Sequence, residues 1–195
     1  MKLRHLVVVV ALSLASVAAR AQVGLYLNPV FDHISTSTAD TGPFAFLGPN
    51  VTSRMFYGAD FGGYYDFFHR PKVNAGVDIR EVLVRGNNAA LKTFLVGAHV
   101  ASAKNLAILP IRPYAQASIG VGSSHAPDNA LAVKKAQYGI FVGADHALTP
   151  HIDWRIAEVG YGSVSAVSSQ NVGDTASIPS VSVLSLSTGF VFRFR

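Results

Sequence analysis

The stretch Leu184-Ser185-Leu186-Ser187-Thr188-Gly189-Phe190-Val191-Phe192-Arg193-Phe194, next to the C-terminus, decides the fold. Leu184, Leu186, Thr188, Phe190, Phe192 and Phe194 share one parity; Ser185, Ser187, Gly189, Val191 and Arg193 share the other. Successive side chains of a strand point to opposite faces, so this is a β-strand with one large apolar face and one small or polar face. In a soluble sheet the face turned to water carries charged residues and threonine. Here it carries serine and glycine, which weaken a strand and do little for solubility.

The same two-faced period recurs upstream. Tyr57, Ala59, Phe61, Gly63, Tyr65 and Phe67 oppose Gly58, Asp60, Gly62, Tyr64 and Asp66. Ala75, Val77 and Ile79 oppose Asn74, Gly76, Asp78 and Arg80, and Phe94, Val96, Ala98 and Val100 oppose Leu95, Gly97, His99 and Ala101. Weaker runs cover Val23 to Ser35, interrupted by Pro29, then Pro113 to Gly122, Tyr138 to Ala147 and Ile152 to Tyr161. In the last of these, Ile152, Trp154 and Ile156 oppose Asp153 and Arg155 until Glu158, which falls on the apolar face unless a bulge intervenes. Eight strands are predicted, and nothing in this part of the chain repeats with the helical period.

The connections alternate. Short ones lie at His69 to Lys72, Asn105 to Pro110 and Leu148 to His151; longer polar ones lie at Thr36 to Thr52, Gly86 to Leu91, Ser123 to Ala136 and Ser163 to Ser180. Short connections therefore share one end and long ones the other, which predicts an up-and-down antiparallel meander. Strands of about ten residues, aromatic residues near their ends and long loops at one end match a transmembrane barrel. The expected fold is all-β: an eight-stranded antiparallel up-and-down transmembrane β-barrel, apolar outside, with a small and polar lumen. The opposite arrangement, a soluble secreted barrel of lipocalin type, would put the apolar face inward.

Composition agrees once the N-terminus is set aside. The 195-residue chain is 50% apolar, only 14% charged, and contains no cysteine, which excludes disulfides, Cys-ligated zinc and a thiol nucleophile. Its net charge of +5 and isoelectric point near 9.6 first suggest a nucleic-acid partner. Lys2, Arg4 and His5, the apolar run Leu6 to Ala18 and the small residues of Ala19-Arg20-Ala21 have the three-part form of a secretory signal peptide, with cleavage expected before Gln22. The run is shorter than the roughly 20 residues of a membrane-spanning helix. Residues 1–21 are thus expected to be removed, leaving 22–195 as one barrel domain. With Lys2, Arg4 and Arg20 gone, 13 basic residues face 11 acidic ones, and no nucleic-acid partner is expected. The mean hydropathy of +0.33 is then explained by the apolar belt and the signal run.

These residues resemble the small outer-membrane barrels of the OmpA/OmpX type. The C-terminal strand resembles the β-signal recognised by the outer-membrane assembly machinery, with Ser187, Gly189, Phe192 and Phe194 at its four specified positions and Arg195 as one residue beyond it. Arg112-Pro113-Tyr114-Ala115 at the start of the fifth strand also resembles the family. The resemblance implies a bacterial outer-membrane location, with outer-membrane lipids, lipopolysaccharide and the assembly machinery as partners, and a further extracellular partner left open for the long loops.

The lumen face should gather Asp60, Asp66, Asp78, Arg80, His99, Asp145, Asp153, Arg155 and Arg193, a mixed-charge cluster that plugs a barrel too narrow for a wide pore. A narrow channel is the alternative, and a lipid A deacylase or acyltransferase the less favoured one. Ser123, Ser124 and His125 stand where a long loop begins, with Asp128 nearby, but adjacent Ser and His in a strand point to opposite faces. Asp145-His146 and His151 flank a turn and suggest a metal site only weakly; Gly120-Val121-Gly122 precedes no helix. Asn50-Val51-Thr52 matches a glycosylation sequon and is incidental in a bacterium; Lys134-Lys135 lies near lipopolysaccharide or is simply solvated. No catalytic residue, metal or cofactor is expected.

Overall fold

A computed structural model describes residues 22–42, 44–106, 110–127, 132–166 and 180–194. The expected signal segment, including Ala19 and Ala21, lies outside the described residues, as do Asp128 and Arg195. Eight strands follow in order: β1 Gln22–Asp40, β2 Val51–His69, β3 Val73–Gly86, β4 Ala89–Ser102, β5 Ile111–His125, β6 Ala132–Ala147, β7 Ile152–Ser165 and β8 Ser180–Phe194. Each pairs antiparallel with its sequence neighbour, and β1 closes on β8 through pairs such as Val23 with Phe194 and Leu27 with Phe190. Closure leaves no unpaired sheet edge, which any barrel exposed to hydrocarbon requires.

The faces fall as the alternation predicts. Leu184, Leu186, Phe190, Phe192 and Phe194 point outward, each about half exposed, and Ile119 and Ile140 are 73% and 60% exposed. These outward residues form a continuous apolar belt without an interior to bury them. The small inward residues have a packing reason. A Cβ on Gly24 would collide with the ring of Tyr64, and one on Gly143 with the ring of Tyr114. The glycines are the seats on which lumen tyrosines lie.

One feature departs from the sequence reading, and a second decides an alternative that it left open. The connection expected at Gly86 to Leu91 is a two-residue turn, because Asn87 and Asn88 both adopt positive φ (47° and 62°), the conformation that suits a tight hairpin and that asparagine tolerates. Meanwhile β1 and β2 run 19 residues each, against 14 for β3 and β4. About 9–11 residues span a bilayer, so the β1–β2 hairpin stands above the β3–β4 hairpin beside it. The low β3–β4 turn beside it leaves a notch in the rim.

The second feature is Glu158. The register slips between Arg155 and Glu158 against β8 and between Ala144 and Asp145 against β6, so Ile156 and Ala157 occupy one pleat position together. Both face outward, and Glu158 returns to the lumen at 2% exposure. The bulge resolves the parity conflict by turning the carboxylate inward.

Candidate functional site: the filled lumen

All nine lumen charges expected from the sequence are buried inside the barrel. They form two connected groups. At the centre, Arg80 donates from Nη1 to Glu158 Oε1 (2.6 Å) and from Nη2 to Oε2 (2.8 Å), a two-point contact that a guanidinium fork makes naturally. Arg80 also lies 3.2 Å from Asp60, and Arg155 Nη1 lies 3.4 Å from Glu158 Oε2. Tyr114 Oη donates to Glu158 at 2.7 Å and Ser187 Oγ at 3.3 Å, so this one carboxylate collects two arginines and two hydroxyls. Asp78 accepts from Tyr26 Oη (2.9 Å) and from Gln116 Nε2 (2.6 Å). Both guanidinium groups are sandwiched by rings: Arg80 lies 4.0 Å from the Phe141 centroid, and Arg155 4.6 Å from Tyr26 and 4.5 Å from Tyr114.

The second group lies toward the end that carries both barrel termini. Arg155 Nε donates to Asp145 (3.1 Å), Arg193 pairs with Asp153 (2.7 Å), and Arg112 also donates to Asp153. His99 Nδ1 meets Asp66 at 3.0 Å while its ring stacks on Tyr64 with centroids 4.5 Å apart. The space among these residues is about 20 Å³, room for about one water molecule.

The opposite half of the lumen is built differently. Ile34, Phe56, Val84, Leu91, Val164, Val181 and Val183 fill it, and Phe46 and Leu47 from the β1–β2 connection fold down among them. Phe46 stacks on Phe56 with centroids 5.3 Å apart. The interior is therefore polar below and apolar above, and only the polar half follows the pattern read from serine and glycine.

The sequence reading missed Glu158, Tyr26, Tyr64, Tyr114, Gln116 and Arg112 as members of the network. Tyr26 and Gln116 did alternate onto the inward face, which was a usable signal; Glu158 had none without the bulge. The other candidates separate. Ser124 is buried, facing Val133 O at 3.5 Å, whereas Ser123 and His125 share the outer face. His146 and His151 meet the backbone carbonyls of Pro110 and Arg193. Among the described residues no group of three His, Asp or Glu side chains is placed to hold a metal ion. In the C-terminal strand, Phe192 and Phe194 face outward, Ser187 joins the Glu158 network, and Gly189 packs against Leu27 and Asn28.

A closed eight-stranded barrel with an apolar exterior and a charged, filled interior has the fold of the small outer-membrane β-barrels. Scans against protein-family models and against curated proteins return no match. Solved structures do match. The chain is similar to Neisserial surface protein A, NspA, with TM-score 0.58 and 15% identity over 88% of this chain and 97% of that one. It is also similar to Ail, the attachment invasion locus protein of Yersinia pestis, solved in complex with the heparin analogue sucrose octasulfate. There the TM-score is 0.55, with 11% identity over 89% of this chain and 99% of that one.

Proposed function

We propose that this chain is exported to the bacterial outer membrane and serves there as a non-conducting barrel with a structural and surface-interaction role. The observation that carries this reading is the double seal of the lumen: the Arg80–Glu158–Arg155 network across the middle, and the apolar layer of Phe46, Phe56 and Ile34 above it. An ion following the axis would have to break buried ion pairs and then cross a dry layer, and each step is costly. Short connections at the end that carries the termini, and the tall β1–β2 hairpin at the other, support an orientation with the latter outside.

Planar-bilayer recording on the pure folded protein tests the seal. No steady conductance is expected, and reproducible single-channel currents would establish the channel reading instead. Cell fractionation tests the address: recovery with outer membranes and heat-modifiable migration on a gel are expected, whereas recovery in the soluble periplasm without detergent would overturn it. Lipid A extracted with and without the protein should give identical mass spectra; a change in mass would point to Ser123 and His125, which share the outer face, as a reactive pair. Replacement of Phe192 and Phe194 together by Asp should block assembly if the last strand is the signal read by the assembly machinery; normal insertion counts against it.

A further inference from the structure

The barrel sorts its charges by depth. Of the eleven acidic residues, seven are buried in the lumen, whereas among the described lysines and arginines only Arg80, Arg155 and Arg193 are. The surface is therefore more basic than the count of 13 basic against 11 acidic residues outside the signal segment implies. At the end that carries both termini the sorting is complete. Asp66, Asp145 and Asp153 are inside, each against a basic side chain, and no described acidic residue there is exposed. Arg70, Lys72 and Lys104 are exposed at that end.

These three lie together. Arg70 and Lys72 sit in the β2–β3 turn, which Arg70 N closes by donating to Val73 O at 2.8 Å. Ala103 N donates to Lys72 O at 3.1 Å, which stitches this turn to the start of the β4–β5 connection and brings Lys104 beside it. The third turn at this end, Leu148-Thr149-Pro150-His151, carries no lysine or arginine, so the patch is one-sided. Toward the membrane it runs straight into the apolar belt. The register slips between Asp66 and Phe68 against β3, and Phe67 and Phe68 both face outward, 56% and 43% exposed. Phe68 heads an outward row with Ala75, Val100 and Ala115 across β2 to β5, in which the two alanines leave the wall low on either side of Val100. The Arg70 guanidinium lies 5.2 Å from the Phe68 ring centroid, a seat that holds the cation at the edge of the belt.

We propose that this patch binds one anionic diacyl phospholipid of the inner leaflet, its phosphate held by Arg70, Lys72 and Lys104 and one acyl chain lying along the Phe68–Ala75–Val100 row. The inference rests on the orientation proposed above, which puts this end in the periplasm. Three cations without an exposed acid beside them are only partly met by a net-neutral headgroup, so a lipid of net negative charge is selected. Continuity with the belt favours a lipid over a soluble anion, which would meet the charges and leave the apolar row unused. Long basic side chains suit this position, because their stems lie along apolar wall while their heads reach the headgroups.

The test is native mass spectrometry of the full mature barrel, delipidated in neutral detergent and offered dioleoyl phosphatidylglycerol or dioleoyl phosphatidylethanolamine. These share their chains and differ in headgroup charge, and the first is expected to bind at least about tenfold more tightly. Arg70→Gln, Lys72→Gln and Lys104→Gln together should abolish the preference, and Lys104→Gln alone should lower it in part. Arg85→Gln with Lys134→Gln, at the opposite end, should leave it unchanged. Ala75→Phe, which blocks the low wall without changing charge, should weaken both lipids. Equal binding of the two lipids, or a preference that survives the charge variants in barrels with heat-modifiable migration, would overturn the proposal. Full displacement of the lipid by soluble glycerol 3-phosphate, with Ala75→Phe silent, would overturn it by assigning the patch to a soluble anion. Surface labelling on intact cells tests the orientation separately: Asn87→Cys is expected to label and Thr149→Cys is not. The reverse would overturn the orientation and with it the choice of leaflet, whereas lost selectivity with the expected labelling counts against the phospholipid site alone.

Discussion

The two halves of the barrel interior fill a similar space by opposite means. Below, Arg80, Arg155 and Glu158 are at most 2% exposed and are held by charge-assisted hydrogen bonds and stacked rings. Above, Ile34 and Phe56 are fully buried among valines and leucines. The polar half is directional: Arg80, Arg155, Tyr114 and Tyr26 each have a designated acceptor, so losing one member strands the others. The apolar half is non-directional and fails by leaving a cavity. A soluble core would use the second device throughout, because its outside is wet. Here the outside is apolar, so the interior is free to hold charge, provided the charges satisfy one another.

That contrast can be broken at its strongest point first. Glu158→Leu leaves two buried guanidinium groups without their shared carboxylate and should cost about 3–5 kcal/mol, read as a lower urea midpoint for loss of the heat-modifiable form. Replacing Arg80 by Met in the same chain should recover part of that loss; no recovery would mean that the pair does not behave as a unit. Phe56→Ala should cost about 3 kcal/mol through the cavity it opens, with no gain from a compensating charge change. The seal offers a sharper comparison. Neither Glu158→Ala nor Phe46→Ser with Phe56→Ala should conduct in planar bilayers, while all three together should. Conductance from either set alone would show that one half does the sealing. The smallest effect is expected on the outer surface, where Lys92→Gln breaks a largely solvated pair with Glu81 and should shift stability by less than about 1 kcal/mol.

Much of this was legible because membrane barrels write their two faces into the sequence with period 2. Leu184 to Phe194 announced both the lipid side and the lumen side, and Asp78 with Arg80, or Asp153 with Arg155, could be assigned inward by parity alone. Parity could not carry Glu158 across the Ile156–Ala157 bulge, because one inserted residue reverses every later assignment. Nor could it show the apolar upper lumen. Val82 and Val84 alternate with Glu81, Leu83 and Arg85, and Val181 and Val183 with Ser180, Ser182 and Leu184, so at this level the apolar face turns inward and the polar face outward, the reverse of the contrast below.

The sequence by itself determined the strand count, the order, the outward belt and most of the charged residues that share the interior, since each depends only on the alternation of side chains along a pleated chain. The tertiary structure decided how those charges are partnered. Arg80 and Glu158 lie 78 residues apart, and only barrel closure and the exact stagger of strands bring them to one level. It also decided the height of the rim: two asparagines in positive φ make β3–β4 short, and that shortness opens the notch where Arg54, Arg85 and His125 meet. Contacts along a strand are fixed by local period, whereas contacts across the lumen depend on register and closure, which no single strand encodes.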